Sequence, residues 1–122
     1  MKNKYLYLNS RDELLRIRID SIVFFESDGN YTNIILANKF KGSVCMNLAQ
    51  MQNVLSENLK EQASIYVRIG KRYIVNLNSV CQIQVLRQKL LLSDGYTFTF
   101  ALDISKEALK KLKDLYVKAA MK

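Results

Sequence analysis

The stretch from residue 66 to residue 77, Tyr66-Val67-Arg68-Ile69-Gly70-Lys71-Arg72-Tyr73-Ile74-Val75-Asn76-Leu77, constrains the architecture more than any other part of the chain. Tyr66, Val67 and Ile69, and then Tyr73, Ile74 and Val75, are aromatic and β-branched residues that suit a pleated surface. Gly70 between the two runs permits a bulge or a close approach of the backbone to another group. Two short strands flanking a cationic kink are therefore predicted, with Lys71 and Arg72 at a turn. No carboxylate occurs between Glu61 and Asp94, whereas Arg68, Lys71, Arg72, Arg87 and Lys89 all fall in that interval. Cations without a counter-charge nearby in sequence favour an anionic partner.

The same sign of charge holds for the whole chain: 19 lysines and arginines against 11 aspartates and glutamates give +8 and an isoelectric point near 9.6. That balance suits a phosphate-rich partner, nucleic acid or, less well, an anionic membrane face, with simple solubility as the alternative. With no proline and four glycines there is no linker-like tract, so residues 1–122 are expected to form one domain. Hydrophobic residues at 49% and charged residues at 25% exclude disordered and collagen-like classes. Alternating Tyr5-Leu6-Tyr7-Leu8 follows Met1-Lys2-Asn3-Lys4, where a secretory signal would need a continuous apolar run. The longest apolar runs, 22–25 and 34–37, are four residues each, far below the roughly 18 of a spanning helix. A cytoplasmic location with no membrane partner is expected. Cys45 and Cys81 have apolar neighbours and lack CxxC spacing, so both are expected to be reduced core thiols.

In chain order, residues 3–9 and 14–19 form strands joined by the polar turn 10–13. Leu15, Ile17 and Ile19 share one face, and Arg16 and Arg18 share the other, as a basic stripe or an ordinary solvated face. Residues 22–25 are continuous enough in apolar character for a strand buried on both faces. Asp28-Gly29-Asn30 is a tight turn into a strand at 31–37, and 38–42 is a second turn into a short strand at 43–46. Asn47 caps a helix over about 47–59 whose Leu48, Met51, Leu55 and Leu59 recur at helical spacing and cover the sheet. Residues 80–86 and 89–92 form a hairpin across Arg87-Gln88, and Asp94-Gly95 opens the next turn. Tyr96-Thr97-Phe98-Thr99-Phe100 alternates as a half-buried strand; its aromatics are assigned to the core rather than to base stacking, since the alternate positions are threonine and not basic. Ser105 caps a last helix over about 105–119 with Ala108, Leu109, Leu112, Leu115, Tyr116 and Ala119 as its apolar stripe and lysines outside. The fold class is thus mainly β: small antiparallel sheets with one covering helix and a C-terminal helix.

Taken together, the 22–26 run, the central stretch, the Asp94-Gly95 turn and the terminal helix make the chain resemble the LytTR-type (LytR/AlgR-type) DNA-binding domains over nearly its whole length. The family's central pattern, roughly aromatic-x-Arg-x-His-x-Ser-Tyr-Ile-Val-Asn, is met by Tyr66, Arg68, Tyr73, Ile74, Val75 and Asn76 and departed from at Gly70 and Arg72. The resemblance implies a transcriptional regulator whose loops enter the grooves of duplex DNA. The Gly70-Lys71-Arg72 loop would enter the major groove, the Asn30-Tyr31 turn would approach a neighbouring groove, and the 101–105 connection would supply a third contact. Asn30, Tyr31, Asn33, Arg68, Lys71, Arg72 and Lys106 are the candidate DNA-binding residues, although Asn30 also fits plain turn chemistry and Tyr31 a packed ring. Gly70 stands where members often carry His, and Ala101-Leu102 where they often carry Ser-Arg, so two base-reading side chains are missing. Members usually carry a receiver domain and bind direct repeats. Here the first strand begins almost at Met1, so a stand-alone domain is expected, with dimerisation on direct-repeat DNA and control through a partner regulator, a ligand or expression level.

Catalysis is not expected. There is no histidine, the most common general base and metal ligand, and of the carboxylates only Asp12 and Glu13 are adjacent. The glycines stand singly at 29, 42, 70 and 95, without phosphate-loop or dinucleotide spacing, so neither a cofactor nor a metal is implied. The competing reading is a protein-interaction module that keeps the fold but has lost base readout.

Overall fold

The computed structural model of the protein describes residues 5–95 and 99–120. Within them the short alternating runs form strands β1 (Tyr5–Asn9), β2 (Leu14–Arg18), β3 (Ile22–Asp28), β4 (Tyr31–Leu36) and β5 (Lys41–Val44). Helix α1 (Leu48–Leu59) follows, then β6 (Tyr66–Ile69), β7 (Tyr73–Asn76), β8 (Val80–Gln84), β9 (Lys89–Ser93), β10 (Thr99–Asp103) and α2 (Lys106–Ala120). Every pairing is antiparallel, in three sheets: β1-β2, β5-β4-β3-β7-β6 and β10-β9-β8.

The five-stranded sheet lies in the middle, because its central strand is apolar on both faces. Ile22 and Phe25 of β3 pack with the β1-β2 hairpin and with Leu48, Met51, Leu55 and Leu59 of α1. Val23 and Phe24 pack on the other side with Leu90 and Leu92 of β9, Leu102 of β10, and Leu109 and Leu112 of α2. Strict alternation would not place Ile22 with Phe25; a register shift between Ile22 and Phe24 does so, putting two successive residues on one side. The double-sided burial expected of 22–25 is therefore met, and β3 runs on to Asp28.

Asn47 caps α1 as expected: its side chain accepts from the Gln50 N–H at 2.8 Å, and the Gln50 side chain accepts from the Asn47 N–H at 2.9 Å. Ser105 caps α2 by accepting from the Ala108 N–H at 3.3 Å. The expected α2 stripe is covered in part: Leu109 and Leu112 are buried and Tyr116 packs half-buried against the core, while Leu115 and Ala119 are exposed. Several ends move by a few residues. The segment after β7 turns where its asparagines and serine favour it, as a 3-10 turn at Leu77–Ser79, whereas β8 stops at Gln84 because Gln88, at φ 57, closes a turn back to the Val85 carbonyl at 3.1 Å. The expected 96–98 part of the aromatic strand lies outside the described residues, as do residues 3 and 4.

Two expectations are corrected. Cys45 and Cys81 are free but exposed, not core thiols. Cys45 lies in the bend between β5 and α1, and Cys81 sits at a register shift between Val80 and Gln82 that turns the edge strand β8 outward. The 101–105 connection is also mostly strand, since β10 continues through Asp103. Leu102 is 5% exposed and packs in the core. No helix among the described residues is long and apolar enough to cross a membrane.

Candidate nucleic-acid interface

Antiparallel pairing of β3 with β7 sets Glu26 opposite Tyr73, which brings the β3–β4 turn and the β6–β7 turn to one end of the sheet. The Ser27 N–H donates to the Arg72 carbonyl at 2.8 Å and ties the two turns together. Gly70 adopts φ +63, a conformation that side-chain-bearing residues rarely take, and so lets the three-residue loop 70–72 close between Ile69 and Tyr73. The close approach expected at Gly70 is not to the protein itself, because a Cβ there would meet nothing within 4 Å.

This end is polar and carries charges of both signs. Across the sheet, Ser43, Asn33, Glu26 and Tyr73 form one row on β5, β4, β3 and β7. Ser43 Oγ donates to Asn33 Oδ1 at 2.6 Å, and Asn33 Nδ2 donates to Asp28 Oδ2 at 3.2 Å and to Glu26 Oε1 at 3.5 Å. Glu26 in turn faces Arg72, with 3.8 Å between Oε2 and the guanidinium, and Arg72 also lies over the Tyr73 ring at 5.5 Å. Burial pushes the Tyr73 hydroxyl above the usual tyrosine range; Arg72 opposes the rise, and Glu26 and Asp103 reinforce it. Helix α2 starts at Lys106, three residues after Asp103 at the end of β10.

The candidate residues divide into two groups. Asn30, Tyr31, Lys71, Arg72 and Lys106 are all exposed on these turns or at the start of α2. Tyr31 at 51% exposure is not a packed ring. Asn33, by contrast, is 2% exposed with its amide fully engaged inside the hairpin, so it orders the turn and has no free group to offer a base. Arg68 is half-buried on the α1 side; its guanidinium donates to Gln52 Oε1 and to the Lys71 carbonyl, both at 3.3 Å, while its buried Nε has no partner. It braces the turn from beneath. Of the five cations in the acid-free interval, Arg72 and Lys89 meet carboxylates from elsewhere in the fold, Glu26 and Asp103.

Sequence reasoning missed Glu26 and Ser43. The signal was available once the turn at 29–30 was set: counting outward pairs residues 28 with 31, 27 with 32 and 26 with 33.

In this antiparallel fold, Lys71 and Arg72 stand exposed on a turn at one end of the central sheet; among the described residues, no group of three or more His, Cys, Asp or Glu could hold a metal. The LytTr DNA-binding domain model matches residues 12–116, and the chain belongs to that family of DNA-binding domains. The solved LytTr DNA-binding domain of a Bacillus cereus protein has a similar fold, with a TM-score of 0.63 at 16% identity over 93% of this chain and 97% of the other. No curated protein matches the sequence.

Proposed function

We propose that this chain is a cytoplasmic transcriptional regulator that grips duplex DNA with the loop 70–72, the turn at Asn30-Tyr31 and the start of α2. The observation that carries this reading is the joining of the two exposed turns at one end by the Ser27–Arg72 hydrogen bond, in a chain of the LytTR family. Lys71, Arg72 and Lys106 supply phosphate contacts, which position a protein on the duplex without reading sequence. Asn30 and Tyr31 are the exposed groups left to contact base edges, since Asn33 is engaged internally and Gly70 has no side chain. A good bidentate base contact discriminates by about 1–3 kcal/mol. With few such readers, the ratio of specific to scrambled-competitor affinity is expected to fall below about 10³, the low end for specific binders.

Selection from random duplex DNA at physiological salt tests this. Enrichment of a weak to moderate motif that is lost in Asn30→Ala supports the regulator reading. No enrichment, together with a tight protein partner, would favour the second reading, an interaction module, which the bare Gly70 position supports.

A further inference from the structure

We propose that Glu26 is an internal competitor that sets how much of Arg72 is available to DNA phosphate, an inference that rests on the function proposed above. A carboxylate at this end is out of keeping with a surface for a polyanion, yet Glu26 is held there. Its Oε1 accepts from Asn33, which Ser43 fixes at 2.6 Å, and its Oε2 faces the Arg72 guanidinium at 3.8 Å. Swinging the carboxylate away would remove an acceptor from a buried amide. Arg72 is the mobile partner. Its carbonyl is pinned by Ser27, but its side chain is 64% exposed, against 29% for Glu26. The guanidinium therefore has two stations: against Glu26 when the protein is free, and against phosphate when it is bound. An exposed ion pair is weak, whereas guanidinium-to-phosphate hydrogen bonds are charge-assisted and frequently bidentate, so phosphate wins the exchange at a few-fold cost in affinity.

Glu26→Gln keeps the shape and the acceptor for Asn33 while removing the charge. Binding to a short random-sequence duplex is measured by fluorescence anisotropy over a salt series for the parent, Glu26→Gln, Arg72→Ala, the double variant and Asp28→Asn. Glu26→Gln is expected to bind about two- to five-fold more tightly at low salt, with a salt slope steeper by up to about 0.9. That gain should vanish in the Arg72→Ala background, and Asp28→Asn, which faces Asn33 and not Arg72, should give less than half of it. Unchanged affinity in Glu26→Gln, a gain that persists without Arg72, or an equal gain from Asp28→Asn would overturn the proposal. Should Glu26→Gln fail to fold, Glu26→Asp, which shortens the reach to Arg72, replaces it with a smaller gain in the same direction. Failure of the parent itself to bind duplex would instead remove the proposed function, and this inference with it.

Discussion

At one end of the five-stranded sheet, Asn76 Nδ2 donates to the Ile22 carbonyl at 2.9 Å and its Oδ1 accepts from the Asn78 N–H at 2.9 Å; at the other, Asn33 is shared among Ser43, Asp28 and Glu26. The first end is closed by neutral hydrogen bonds to backbone, including Tyr66 Oη to the Ile19 carbonyl at 2.6 Å and Tyr116 Oη to the Leu77 carbonyl. The second also holds short bonds, Ser43 to Asn33 and Ser27 to the Arg72 carbonyl, but its charged groups, Asp28, Glu26 and Arg72, meet their partners through longer, partly exposed contacts. Short neutral bonds in a buried setting hold a fold, because breaking one strands a desolvated group. Long contacts among exposed charges hold little and are free to be exchanged for a ligand. The difference assigns stability to the Asn76 end and binding to the Arg72 end.

Asn76→Ala should break this comparison first if it is wrong. It strands the Ile22 carbonyl and the Asn78 N–H, and a loss of about 2–3 kcal/mol in urea unfolding is expected, with the duplex affinity of the remaining folded protein unchanged. A fall in affinity without a fall in stability would reverse the assignment. Tyr66→Phe should cost about 1 kcal/mol at neutral pH. Burial, assisted by the charge of Asp20, raises the Tyr66 hydroxyl well above the usual tyrosine range. The folded state thus holds the proton more tightly than the unfolded chain, so this stability is present below about pH 10, the ordinary tyrosine value, and is lost as pH rises beyond it. The parent should therefore lose stability more steeply than Tyr66→Phe in alkaline urea titrations. The smallest effect is expected at the exposed thiols: Cys45→Ser and Cys81→Ser should each change stability by no more than about 0.5 kcal/mol, and both thiols should react with a water-soluble thiol reagent in the native state.

Where apolar pattern and turn chemistry agreed, the architecture was legible. The hairpins at 28–31 and 69–73, the Asn47 cap and the doubly buried β3 follow from local rules that tertiary packing did not override. The cysteines were misread because apolar neighbours in sequence say nothing about which strand is an edge or where a bulge turns a side chain outward. The 101–105 segment was read as a connection because the aromatic alternation ends at Phe100, whereas β10 runs on to Asp103. At the site, exposure of Lys71 and Arg72 followed from their turn, but the partners of Asn33, acceptors Glu26 and Asp28 on β3 and donor Ser43 on β5, come from two strands and depend on register.

The separation of binding from stability is tested most directly by the salt dependence of duplex binding in Lys71→Ala/Arg72→Ala, with the melting temperature measured in parallel. Each lost phosphate contact removes about 0.9 from the slope of log affinity against log salt. The account predicts a slope shallower by nearly two, roughly twice that per-contact value, with an unchanged melting temperature. An unchanged slope and affinity, or a loss of binding that merely tracks a loss of fold, would contradict it.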